Sequence, residues 1–171
     1  NPVIQAYMQP SITSNEALQT QFIQKLAGMI KADGKQIIGW DEVLQPGLEK
    51  GAIVQSWRGK DSLYQAAREG HRTILSNGYY LDLLYPASDA YLNDPIPPGT
   101  HLKRSVRRNI LGGEAEMWSE LVRPGTIDSR IWPTAAAIAE RLWSPQDLRD
   151  VAWMYKRLYV VNLDLEDLGL T

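Results

Sequence analysis

Apolar residues recur along this chain with two different periods, and each change of period marks an element. Between residues 15 and 32, Leu18, Phe22, Leu26, Met29 and Ile30 return at intervals that place them on one face of a helix. Its start is predicted from a capping box of Thr13 with Glu16, with Asn15 as the rival cap, and its end from Gly34. The pattern then shortens to a compact apolar run, Gln36 to Trp40, the signature of a buried strand. Residues 52–57 and 72–77 repeat it, separated by a helical segment, Asp61 to Glu69, that stops at Gly70. A further strand is predicted at 109–114. Helical period returns at 128–143 through Ile131, Ala135, Ile138, Ala139 and Leu142, with Pro133 tolerable only near the first turn. A last helix is predicted with Ser144 as cap and Pro145 as first residue, presenting Leu148, Val151, Ala152, Tyr155, Leu158 and Tyr159 on one face. Between these elements, Leu83 to Arg108 is punctuated by Pro86, Pro95, Pro97, Pro98 and Gly99 and reads as a long loop.

Strands alternating with helices predict βαβ units and a parallel sheet. Periodicity alone is compatible with a doubly wound sheet and with half of a (β/α)8 barrel. Composition adds boundaries rather than direction. The 171 residues, 44% of them hydrophobic, suffice for a core, and no apolar run approaches membrane-spanning length. A formal charge of -2 argues against a nucleic-acid footprint, and the basic cluster Lys103, Arg104, Arg107 and Arg108 reads as the solvated face of a short helix. Without cysteine there is no disulfide and no thiolate chemistry, and the compartment stays open. The chain opens on Asn1 with no signal-like segment after it, as expected of a piece of a longer chain.

The chemistry concentrates at the strand ends. Gly39-Trp40-Asp41-Glu42, Val54-Gln55-Ser56-Trp57-Arg58-Gly59, Asn77-Gly78-Tyr79-Tyr80-Leu81-Asp82 and Gly112-Gly113-Glu114-Ala115-Glu116-Met117-Trp118-Ser119-Glu120 read as strands that deliver aromatics and carboxylates to one edge of a sheet. Alternation along a strand points Tyr80 with Asp82, and Trp118 with Glu120, the same way, and turns Tyr79 aside. Flat apolar rings beside fixed acceptors suit a sugar, whose C–H faces stack on aromatics while its hydroxyls donate. Taken singly, each tryptophan could equally pack in a core and each acid could be an exposed one; the recurrence at successive strand ends favours a carbohydrate pocket. Trp132, Trp143 and Trp153, in helical segments, are assigned to packing. Asp41 and Glu42 fail as an acid pair, since neighbours on a strand face opposite ways, although one of them can line the cleft. Glu114 and Glu116, if buried, need a cation, and Arg141 is the candidate. His71 and His101 stand alone, so no metal is expected.

Taken in order, these segments, with the closing Ile138-Ala139-Glu140-Arg141-Leu142-Trp143-Ser144-Pro145, resemble the second half of the catalytic barrel of glycoside hydrolase family 20, the β-N-acetylhexosaminidases. The resemblance runs from about Asn15 to Pro145 and implies an α/β fold, strands five to eight of a (β/α)8 TIM barrel, with residues 1–171 forming part of a catalytic domain whose upstream half lies outside this chain. It implies an exo-acting hydrolase of terminal N-acetylglucosamine or N-acetylgalactosamine that works without a cofactor by substrate-assisted, retaining catalysis. Tyr80 is then the catalytic residue, donating to the substrate's acetamido oxygen; Trp40, Trp57 and Trp118 wall the sugar, and Asp82 and Glu120 bind its hydroxyls at O6 and O4. The family's His-x-Gly-Gly-Asp-Glu segment, which supplies its general acid, does not occur in the sequence, so the chain alone is expected to be inactive and to need the missing N-terminal half. Exposed barrel edges lead us to expect self-association. The resemblance alone suggests a periplasmic, extracellular or lysosomal setting. The rival functions are a non-catalytic carbohydrate-binding protein of the same fold and a plain α/β packing domain.

Overall fold

The computed structural model describes residues 1–8 and 12–170. Helix α1 (Pro2–Tyr7) is capped by the Asn1 side chain. Helix α2 (Asn15–Ala32) begins one residue away from either predicted cap: Ser14 takes the extended cap conformation, and its hydroxyl accepts from the Ala17 N–H at 3.1 Å. Thr13 lies too early to reach that donor. The apolar face of α2 is only partly covered, with Phe22 and Met29 59% and 61% exposed and Ala27 alone fully buried.

Strands β1 (Ile38–Trp40) and β2 (Ile53–Ser56), helix α3 (Lys60–Arg68), strand β3 (Arg72–Leu75) and strand β4 (Ile110–Gly113) build a four-stranded parallel sheet in the order β1-β2-β3-β4. Each new strand joins on the same side, so the sheet lacks the reversal of order that defines a doubly wound fold. Register places Val54, Thr73 and Leu75 on the face covered by α3, where Leu75 packs with Leu63, Tyr79, Leu81, Ala90 and Ile138. The other face carries Trp40, Gln55 and Ile74 and leaves Ile38 and Leu111 half exposed.

The proline-rich stretch is not loop throughout, as the sequence suggested. It holds helix α4 (Ala87–Leu92), which packs on a later helix through buried Ala90 and Tyr91, and the short basic helix α5 (Arg104–Arg107). The single helix expected at 128–143 is two, α6 (Ile127–Ile131) and α7 (Thr134–Trp143), broken at Pro133 because the residue before a proline, Trp132, is driven to extended backbone.

The last helix does not start at Pro145. Helix α8 (Val151–Asp167) is capped by Asp150, whose carboxylate accepts from the Trp153 N–H at 3.0 Å. The residues between are folded around Arg141, which is 3% exposed and donates to the carbonyls of Leu148 at 2.8 Å, Pro145 at 2.7 Å and Ser144 at 3.4 Å. Carbonyls so engaged keep the segment irregular. The buried stripe of α8 is Met154, Leu158 and Leu165, while Tyr155 and Tyr159 face outward, a rotation from the expected face. Trp143 and Trp153 are exposed rather than packed, Trp143 by 93%, and Lys156 lies over the Trp153 ring at 4.2 Å. No helix among the described residues is long and apolar enough to cross a membrane.

Candidate functional site

At the C-terminal end of β1 the chain enters a tight 3-10 turn, Asp41–Val43, made possible by Gly39, where any side chain would strike Val43. The turn, rather than strand alternation, separates the two acids. Asp41 goes inward, 1% exposed, accepting from the Arg58 Nε at 2.6 Å, the Arg58 backbone N–H at 3.2 Å and the Ser62 hydroxyl at 2.7 Å. Glu42 goes outward and accepts the indole N–H of Trp57 at 2.9 Å. Trp57 leaves the end of β2 with its carbonyl held by the Asn77 amide at 2.9 Å.

Beyond β3 the chain turns at Gly78, where φ is +83° and a Cβ would meet the Asn93 amide. Pairing with the segment after β4 then resumes, the Leu81 N–H donating to the Glu116 carbonyl at 2.9 Å and Tyr80 forming a parallel bridge with Glu116. That pairing restores alternation: Tyr79 is buried and hydrogen-bonded to the Asn93 carbonyl, whereas Tyr80 and Asp82 both open onto the cleft.

The cleft has a volume of about 920 Å³ and is lined by Trp40, Trp57, Tyr80, Asp82, Trp118 and Glu120, so every site residue expected from the sequence reaches it. Such a volume suits a small organic ligand. Trp40 and Trp118 meet with ring centroids 6.0 Å apart and planes at 41°. They follow the first and last strands of the sheet, which three flat strand spacings would hold roughly 14 Å apart. Trp118 lies five residues beyond the end of β4, so the irregular chain after that strand carries its indole across the cleft to Trp40. Glu42, Gln19 from α2, Val43, Leu83 and Leu121 also line it. No local pattern marks Gln19, because only tertiary packing brings α2 to the cleft.

The floor is acidic. Asp82 is 5% exposed, and its Oδ1 has no hydrogen-bond partner among the described residues, nor has Oε2 of Glu116. The cation proposed for Glu114 and Glu116 is not Arg141, which is committed to the carbonyls around residue 145. The Gln55 amide serves instead, within 2.8 Å of Glu116, 2.9 Å of Ser76 and 3.2 Å of Glu114. Two amide protons shared among these acceptors leave charge uncompensated. Burial accordingly raises the Glu116 carboxyl above the usual carboxylate range; hydrogen bonds from Ser76 and Gln55 oppose the shift, and the charges of Glu114 and Asp82 reinforce it. Burial, helped by Glu116, Asp41, Asp82 and Glu42, pushes the Tyr80 phenol up to about 12. Tyr80 thus keeps its hydroxyl proton at neutral pH and can donate a hydrogen bond into a cleft lined by aromatic rings and carboxylates. Neither His71 nor His101 lines the cleft, and no metal-binding cluster occurs among the described residues.

Comparison with known proteins is consistent along almost the whole chain. The model of the glycosyl hydrolase family 20 catalytic domain matches residues 1–146. The chain is 36% identical over 170 residues to the human beta-hexosaminidase subunit beta, covering 92% of this chain and 30% of the relative, and 33% identical to a Porphyromonas gingivalis beta-hexosaminidase, covering 89% and 22%. Among solved structures, a chitobiase from Flavobacterium johnsoniae superposes with a TM-score of 0.94 at 51% identity, covering 100% of this chain and 27% of that one. An exo beta-N-acetylglucosaminidase from Vibrio harveyi, solved in complex with N-acetylglucosamine, gives 0.87 at 26% identity, covering 99% and 30%. The chain thus spans about a third or less of these relatives.

Proposed function

Because the chain belongs to the catalytic domains of glycosyl hydrolase family 20, we propose that it is the sugar-binding half of an exo-β-N-acetylhexosaminidase, strands five to eight of a (β/α)8 barrel. The sequential strand order and the uncovered faces of α2 and of the inner sheet support the half-barrel. The observation that carries the functional reading is the convergence of Tyr80, Asp82, Glu120 and the tryptophans Trp40, Trp57 and Trp118 on one cleft at the C-terminal strand ends.

In this reading a terminal N-acetylhexosamine lies between the indoles, which exclude water from the reacting face. Asp82 and Glu120 accept hydrogen bonds from its O6 and O4 hydroxyls. Tyr80 donates to the carbonyl oxygen of the 2-acetamido group and holds it against the anomeric carbon. That oxygen attacks as the bond to the leaving group breaks, giving an oxazolinium ion that water opens with net retention. An acid outside this chain protonates the leaving oxygen.

Two measurements test the proposal. In the longer protein, Tyr80→Phe lowers kcat by roughly a hundredfold, the scale of removing one oriented donor, with little change in KM; an unchanged kcat refutes the role. The chain alone binds N-acetylglucosamine but does not hydrolyse a nitrophenyl N-acetylglucosaminide, because general acid catalysis contributes about a hundredfold to ten-thousandfold. Turnover by the chain at the rate of a full-length hexosaminidase overturns the division of labour.

A further inference from the structure

We propose that Glu42 is a positioning residue that sets the plane of the Trp57 indole and thereby the width of the cleft. The backbone around Trp57 is fixed independently of the ring. Asn77 holds the Trp57 carbonyl at 2.9 Å, and buried Asp41 holds the next residue, Arg58, through its backbone N–H at 3.2 Å and its Nε at 2.6 Å. With the main chain clamped, the remaining freedom of Trp57 is rotation of its side chain, and the residue is 42% exposed, so packing constrains it only in part. Its one hydrogen bond is to Glu42 Oε1 at 2.9 Å. Consecutive acids on one 3-10 turn therefore divide the work, Asp41 fixing backbone and Glu42 fixing ring orientation. An indole N–H is a donor only, so a rotated ring without this acceptor would turn a polar edge toward the apolar wall or swing into solvent.

The inference deepens the carbohydrate reading above, so the test has an arm that does not depend on sugar binding. The chain is labelled with 15N at its indoles, Trp57 is assigned with Trp57→Phe, and solvent exchange of its indole proton is compared in the wild type, Glu42→Gln and Glu42→Leu. Glu42→Leu should speed exchange about tenfold, the loss of one hydrogen bond to a charged acceptor, while Glu42→Gln, whose amide oxygen still accepts, should retain most of the protection. Titration with N-acetylglucosamine should show affinity falling roughly tenfold in Glu42→Leu and much less in Glu42→Gln. Unchanged indole exchange in Glu42→Leu overturns the proposal, as does an equal loss in Glu42→Gln, which would make charge and not acceptor geometry the determinant. A wild type that fails to bind the sugar defeats the carbohydrate reading alone, and the exchange arm still decides the role of Glu42.

Discussion

Replacing Asp82 by asparagine should stabilise the unliganded protein while weakening its hold on a sugar. The carboxylate is 5% exposed, its Oδ1 lacks a partner among the described residues, and it adds to the negative charge around Glu116. A buried acceptor left unpaired costs about 1–3 kcal/mol. The amide is neutral and removes the repulsion from Glu116. A gain of about 1 kcal/mol is expected, a rise in Tm of about 2–4 °C for a chain of this size. On the ligand side the exchange replaces a charged acceptor with a neutral one. Hydrogen bonds to charged groups contribute about 1.5–3 kcal/mol, so affinity for N-acetylglucosamine should fall at least roughly tenfold. Scanning calorimetry of the two proteins and titration calorimetry with the sugar measure the two effects. Stability and affinity falling together would refute the reasoning, because Asp82 would then be a structural group; unchanged affinity would remove it from the site.

Other outcomes follow from the same geometry. Arg141→Met should destabilise by about 3–5 kcal/mol in urea unfolding, since the carbonyls of Leu148, Ser144 and Pro145 lose their buried donor, and a change below about 1 kcal/mol would show that water replaces the guanidinium. Glu116 has a raised carboxyl in the fold, so between the ordinary carboxylate range and its raised value the folded state binds more protons than the unfolded one and stability falls as pH rises; Glu116→Gln should remove that component, and identical pH profiles would exclude it. Ile38, Leu111, Phe22 and Met29 are left uncovered, so if the chain is the proposed half-barrel sedimentation should show self-association, and a stable compact monomer would favour a self-sufficient domain.

The sequence by itself determined the local rules. Period placed each strand within a residue or two, alternation separated Tyr80 from Tyr79, and the aromatics and acids at strand ends marked the residues that line the cleft, because strand direction and side-chain alternation are short-range properties of the backbone. Caps and breaks were less legible. Ser14 and Asp150 cap the helices for which Thr13 or Asn15, and Ser144, were expected, their side chains accepting from the Ala17 and Trp153 N–H groups. The segment 145–150 reads as the opening of a helix until Arg141 is seen to gather its carbonyls from seven residues away. Exposure was the least legible of all: Trp143, expected to pack, is 93% exposed, and Gln19 enters the cleft only because α2 lies beside the turn at Asp41–Val43. Charge compensation was likewise a tertiary matter, for the partner of Glu116 is an amide on β2, Gln55, whose reach across the sheet depends on strand register. Pattern fixes which way a side chain leaves the backbone; what it meets there depends on contacts between residues far apart in the chain, which no local spacing encodes.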